Sequence, residues 1–418
     1  MRAAKATCAL ALTLWGGAAW LVHPSEAAEF RVVPSLTLSE EFNDNLFEVP
    51  TGERSEFITR VLPSVAVTSQ GAGLVWDMSY GLDYRNFARG NVKDELDHTA
   101  ALNGKLSLLD GFLKVEAGDT YSRVSLDVAR DVVMESLVVN QSERNVAFIS
   151  PYLSWHPGEN CALKTGYSYK DVRYWDASGI DKREHQGVAE LNYELTSRLT
   201  FTTGYTFVYA LAEPASYHRH DLYAGLRHDY GQGTVLFGSL GNSWQSFSNG
   251  TSANNPFWSA GASKDFGFMA ATIGTRVQYA EDPLALSTRE TSYDATLSRA
   301  WPRGMVTLTG TFVEYEVNQF AQPERQRKQA LVATGRYELS ENLTLMVSVS
   351  GDHLDDPDQG LGLDYPYRLF GNSGLEYLVS QHMILGANYT HVSYRRELDS
   401  SAGSAEVNRV IVEVRLYL

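Results

Sequence analysis

The chain has 418 residues, 44% of them hydrophobic and 11% aromatic, with a formal charge of −15. An acidic surplus excludes a nucleic-acid partner, which would demand a basic face. Of the two cysteines, Cys8 falls in the N-terminal segment and Cys161 is left without an intramolecular partner, so a disulfide-stapled scaffold is excluded as well.

Residues 1–28 read as a secretory signal peptide. Arg2 and Lys5 form the basic start, an apolar stretch runs from Cys8 to Val22, and Ser25-Glu26-Ala27-Ala28 offers small residues for cleavage. Cys8 precedes the apolar stretch instead of following it, so no lipid anchor is expected. Past this segment no stretch approaches the roughly 18 apolar residues of a membrane helix. Residues 29–418 read as one domain whose first strand begins almost at the cleavage site, with no room for an N-terminal plug.

From Phe30 to Leu418 the chain is a series of period-2 runs. In Leu199–Leu211 one face carries Leu199, Phe201, Thr203, Tyr205, Phe207, Tyr209 and Leu211, and the other Thr200, Thr202, Gly204, Thr206, Val208 and Ala210. The run from Leu343 to Ser350 alternates likewise. The count is about 20 strands, within 18–20. Tight turns are expected at 69–73, 110–111, 156–160, 196–197, 230–233, 265–267, 302–304, 340–342 and 380–381, each rich in Gly, Asn, Asp, Ser or Pro. Longer connections fall between them, near 43–54, 88–96, 126–143, 175–183, 211–216, 247–255, 280–288, 318–325, 354–364 and 397–405. Loop length sorted by parity is a property of a transmembrane antiparallel β-barrel, with short periplasmic turns and longer extracellular loops. A soluble sandwich or propeller has no reason to show it. The 23 Tyr and 8 Trp suit the two membrane interfaces.

Two ends of the chain carry recognisable motifs. Pro34-Ser35-Leu36-Thr37-Leu38-Ser39-Glu40-Glu41-Phe42-Asn43-Asp44-Asn45-Leu46-Phe47 opens the first strand, and Tyr394-Arg395-Arg396, a polar loop and Asn408-Arg409 lead into the last. Both resemble the corresponding ends of a family of outer-membrane β-barrels associated with PEP-CTERM and exopolysaccharide loci, of the β-barrel porin type. Phe42 stands where that family more often has Tyr. The resemblance implies the outer membrane of a Gram-negative bacterium and a link to exopolysaccharide export, and brings no catalytic residues. The last strand alternates Val410, Val412, Val414, Leu416 and Leu418 against Ile411, Glu413, Arg415 and Tyr417, the kind of ending barrel-assembly machinery reads, although Leu418 replaces the usual Phe.

The polar faces opposite the apolar stripes give the pore-lining set: Arg60, Asp77, Asp83, Arg85, Lys105, Lys114, Glu116, Lys164, Lys170, Glu190, Glu194, Asp294, Arg336, Glu338 and Glu376. Each would cost several kcal/mol facing lipid at mid-depth, so a hydrated interior explains them; mutual pairing inside the wall explains them too. The long connection 126–143 is unusually apolar, and Val132, Val133, Met134 and Leu137 are expected to fold inward as a constriction or gate, the alternative being a lip packed on the rim or an extra hairpin. Glu40, Glu41, Asp44 and Asn45 form either an acidic mouth or a strand end with an Asx turn. Asp355, Asp356 and Asp358 with Gly360 miss the EF-hand spacing. His218 and His220 share a strand face but lack a third ligand, so an interfacial pair is favoured over a metal site. No nucleophile motif or phosphate loop is present, and neither an enzyme nor a cofactor is expected.

The expected function is a passive, hydrated outer-membrane pore for exopolysaccharide export. The alternatives are a general diffusion porin for small solutes and a structural or assembly protein of the envelope. Its partners would be outer-membrane lipid and lipopolysaccharide, the barrel-assembly machinery, the polysaccharide and periplasmic export components.

Overall fold

The computed structural model describes residues 29–126, 128, 141–175, 178–213, 215–317, 324–355, 365–398 and 403–418. The signal segment, Val132, Val133, Met134, Leu137, Asp356, Asp358 and Gly360 lie outside them. Twenty strands follow one another: β1 Glu29–Asn43, β2 Glu56–Gln70, β3 Leu74–Phe87, β4 Glu95–Leu108, β5 Leu113–Ser125, β6 Gln141–Gly158, β7 Cys161–Tyr174, β8 Lys182–Thr196, β9 Leu199–Ala212 and β10 Tyr217–Gly231. The second half comprises β11 Thr234–Phe247, β12 Ser252–Asp265, β13 Ala270–Ala280, β14 Thr288–Trp301, β15 Gly304–Val317, β16 Glu324–Glu338, β17 Leu343–Asp355, β18 Tyr367–Ser380, β19 Met383–Arg395 and β20 Ala405–Tyr417. Every strand pairs antiparallel with its neighbour in sequence, and β1 pairs with β20, so the sheet closes. Closure leaves no strand with a free edge along its length, as a wall in lipid requires, although β12 and β13 part beyond Ser259 and Arg276 and β4 and β5 beyond Ala100 and Tyr121.

Around the wall the ladder registers accumulate a stagger of about 26 residues. With strands ~4.8 Å apart rising ~3.4 Å per residue, that stagger tilts them by roughly 43° and sets a backbone diameter of roughly 40 Å.

The start of β1 and the end of β20 lie at the end of the short turns, which hold two to four residues. The opposite connections run from four residues, at 213–216 and 248–251, to fifteen at 126–140. The parity expected from the sequence therefore holds, with overlap at four residues.

Paired residues share a face, so the register divides the wall into two sets. One carries Leu96, Leu240, Ile273, Leu331, Val349 and Val412, all more than half exposed. An aromatic belt marks each margin of this face. Phe30, Trp76, Phe112, Trp155, Tyr193, Tyr230, Phe266, Trp301, Tyr337 and Tyr377 stand beside the short turns. Phe42, Phe57, Tyr121, Trp175, Phe207, Trp244, Tyr293, Phe312 and Tyr367 stand near the long connections. On β14 the belts lie eight residues apart, from Tyr293 to Trp301. Eight residues of a strand so tilted span ~20 Å of height, close to the apolar band of an outer-membrane barrel.

Candidate functional site: a lumen narrowed by inward loops

The other face is the inside. Lys170 on β7 can meet Glu281, in the connection after β13, only across the interior; their Nζ and Oε2 atoms are 2.7 Å apart. The register puts Arg60, Asp77, Asp83, Arg85, Lys105, Lys114, Glu116, Lys164, Lys170, Glu190, Glu194, Asp294, Arg336, Glu338 and Glu376 all on this inner face. Many are paired rather than free. Arg60 meets Asp83 in a bidentate pair at 2.7 and 3.1 Å, and Arg85 extends it to Asp83 and Asp97. Arg123 reaches Asp97 where β4 and β5 part above Ala100 and Tyr121. Lys105 meets Glu116 at 3.1 Å, Tyr152 donates to the same carboxylate, and Lys164 lies 4.3 Å from the Tyr152 ring. Glu190 accepts from Tyr223 and Asn192, Glu376 pairs with Arg415 at 2.8 Å, and Asp77 accepts from Asn103. Glu194, Asp294 and Arg336 stand exposed on the inner wall without joining these groups.

Burial of this inner face changes along its height. Thr68, Asp77, Lys105, Glu194, Arg227, Asp229 and Arg336, toward the short turns, are exposed. Glu41, Ser243, Gln245, Asp352 and Arg368, toward the long connections, are buried. The interior is therefore a vestibule open at the short-turn end and filled toward the other. Three buried apolar clusters do the filling: Leu46 with Ile58 and Phe87; Leu286 with Val208, Ala210, Ala215, Tyr217 and Phe247; and Tyr365 with Val392, Tyr394, Ala405 and Val407. In each, a residue from a connection packs on inward-facing wall residues.

The connection 281–287 reaches from β13 to β7 and β8. β13 is the shortest strand, and its pairing with β12 stops at Ser259 and Arg276. Beyond that point its end turns inward. Alternation would put Tyr279 outside, yet its hydroxyl is 2.9 Å from Ser243 Oγ and the Arg219 guanidinium lies 3.8 Å from its ring centre. The connection then docks against β7 to β11. Lys170 and Lys182 both donate to Glu281, Lys182 also donates to the Asp282 carbonyl at 2.8 Å, and Ile180 N donates to the Pro283 carbonyl at 2.7 Å. Thr288 Oγ1 and Leu284 N hold the Asp282 carboxylate, and Ser287 Oγ donates to Gln245. Burial would raise the Glu281 carboxyl, but the Lys182 and Lys170 ammonium groups outweigh it and hold that carboxyl below the usual glutamate range. The residues expected to form a constriction, Val132, Val133, Met134 and Leu137, lie outside the described residues. The constriction that is described comes from 281–287, whose Ala285 and Leu286 carry the same signal, apolar side chains in a surface connection.

The Asp44-Asn45 motif closes the barrel. Asp44 accepts from Asn408 N and Nδ2, both at 2.7 Å, and Asn45 Nδ2 donates to the carbonyls of Val49 and Glu406. Arg409 stands 3.6 Å from the buried Glu48. The two ends singled out in the sequence thus meet at the β1–β20 seam. Asp44 and Asn45 are a clasp there, with the Asx turn that Asn43 makes to Asn45 N, and not an open acidic mouth. His218 and His220 face outward; His220 Nδ1 is 2.7 Å from the Tyr205 hydroxyl, and its ring meets Phe207 of the belt near the long connections. Among the described residues no group of three side chains is placed to hold a metal ion.

Lys182, Arg219, Asp221, Arg368 and Arg415 are inner-face charges beyond the predicted set. Extending the alternating stripe to each strand end would have found them. Glu281 had no such signal, because a connection has no period.

No protein-family model and no curated protein matches the chain. Among solved structures it is similar to the FrpB iron transporter of Neisseria meningitidis, at 9% identity and a TM-score of 0.56, over 92% of this chain and 81% of that one. It is also similar to the ferric enterobactin receptor PfeA of Pseudomonas aeruginosa, at 10% identity and a TM-score of 0.54, over 94% and 82%. The siderophore receptor PirA of the same organism aligns over 94% and 81%, at 13% identity and a TM-score of 0.51. At such identities the likeness is one of fold: the described residues of this chain form an all-β, closed, 20-stranded antiparallel barrel, similar in fold to those transporters and receptors.

Proposed function

We propose that the protein is a passive channel in the outer membrane of a Gram-negative bacterium, through which an exopolysaccharide leaves the cell, with its outer end narrowed by the connection 281–287. One observation carries this reading: an apolar outer wall bounded by two aromatic belts encloses a polar vestibule open at the short-turn end. The resemblance at the two chain ends supports the polysaccharide. Its passage needs no bond to be made or broken. Ser, Thr, Tyr and Asn along the vestibule exchange hydrogen bonds with sugar hydroxyls, while the paired charges leave no strong field of one sign to trap a neutral chain.

The test is the purified protein in planar bilayers with neutral dextran oligosaccharides added on the short-turn side. The reading predicts transient current blocks whose duration grows with chain length. Conductance insensitive to oligosaccharides would favour a diffusion porin for small solutes, and no conductance at all an envelope structural protein.

A further inference from the structure

A groove of about 670 Å³ runs over the outer wall from β14 to β18. Its floor is bare backbone: Gly310 and Gly351 carry no side chain, and a Cβ added to Gly310 would stand 3.8 Å from Leu331, within the groove itself. Tyr293 and Phe312, ring centres 6.0 Å apart, belong to the upper aromatic belt and wall one side. Leu331, 57% exposed, continues the apolar surface beside them. Polar groups gather at the upper end. The His353 ring stacks on Tyr367 at 4.4 Å, with its Nδ1 3.6 Å from Asp355 Oδ1; beside the groove, Arg395, paired across the ladder with Tyr367, spends its hydrogen bonds on neutral acceptors, Ser393 Oγ and the carbonyl of the lining residue Leu398. No described carboxylate pairs with that guanidinium, which stands at the level where lipid headgroups begin.

We infer that this groove seats a phosphorylated glycolipid of the outer leaflet, its acyl chains lying over Gly310 and Gly351 and its phosphate on Arg395. A lipid-facing wall normally presents side chains that make a convex surface, and a glycine floor at acyl depth is where a chain can lie against backbone. A guanidinium beyond the upper belt supplies a bidentate phosphate partner whose charge no described group cancels. The lipid would brace the wall from β14 to β18, two to six strands from β20 at the seam. The proposal rests on the membrane location argued above.

The test is native mass spectrometry of the detergent-solubilised barrel titrated separately with lipid A and with phosphatidylglycerol, for wild type, R395Q and G310L. Heat-modifiable gel mobility first confirms that each variant is folded. The expected result is a lipid A adduct that R395Q and G310L each weaken at least about fivefold, with phosphatidylglycerol binding weaker in wild type and unchanged by R395Q. Equal lipid A binding by all three proteins, or equal affinity for the two lipids, overturns the groove assignment. Recovery of the wild-type chain outside the outer-membrane fraction of its host would instead overturn the membrane reading beneath it.

Discussion

Replacing Asn45 by Ala tests whether the seam clasp holds the barrel shut. Asn45 is 1% exposed; its amide donates to Val49 O at 2.8 Å and to Glu406 O at 3.0 Å, and its carbonyl accepts from Val49 N at 3.1 Å. Truncation deletes all three bonds and leaves two carbonyls and one N–H short of partners in a place water reaches poorly. At about 1 kcal/mol per bond, more for groups left orphaned, the loss is about 3 kcal/mol. Asp44→Ala removes two charge-assisted bonds to Asn408 and costs about 2 kcal/mol more, with incomplete additivity because both residues sit on one turn. Urea unfolding in lipid vesicles, followed by tryptophan fluorescence, gives the numbers. Asn249→Ala is the control: Asn249 accepts from Thr251 in a similar turn far from the seam, and its loss should cost under about 1 kcal/mol. If Asn45→Ala costs no more than this control, the clasp argument is wrong.

Acid should loosen the connection 281–287. Because the Glu281 carboxyl is held below its ordinary range, its contribution to docking is fully present above that range and is lost as the pH falls through the lowered value. Conductance should therefore stay level from neutral pH down to the ordinary carboxylate range and rise only below it, and Glu281→Gln should show the raised level at every pH. Ile273, 60% exposed on the outer face and midway up β13 between Phe268 and Tyr279, tests the assignment of faces. Ile273→Arg should cost ~2–4 kcal/mol in lipid, and Thr309→Arg, on the inner face of β15, much less; equal costs in vesicle unfolding would reverse the two faces.

Much of this was legible in the sequence because strand alternation has one period, and one error of register would have exchanged every face. Leu199–Leu211 shows the apolar-out, polar-in division that the register confirms across β8, β9 and β10. Pairing partners were less legible. Arg60 with Asp83, or Lys105 with Glu116, depends on stagger between neighbouring strands, which turn lengths constrain only loosely. The inward path of 281–287 was hidden for another reason. It follows from β13 parting from β12 above Arg276, a tertiary event that the segment's own composition records only as Ala285 and Leu286 in a connection. The clasp was half legible: Asp44-Asn45 and Asn408-Arg409 were visible as motifs, but their meeting requires that first and last strands close the barrel.

The account turns on a polar passage that the connection 281–287 narrows at one end. Replacing Glu281–Ser287 by a short Gly-Ser linker and recording single-channel conductance in planar bilayers tests that directly. The account predicts an open, voltage-independent conductance several-fold above wild type, with dextran blocks shortened because the narrowest point is gone. A variant that folds, shows heat-modifiable mobility and conducts no better than wild type would contradict it.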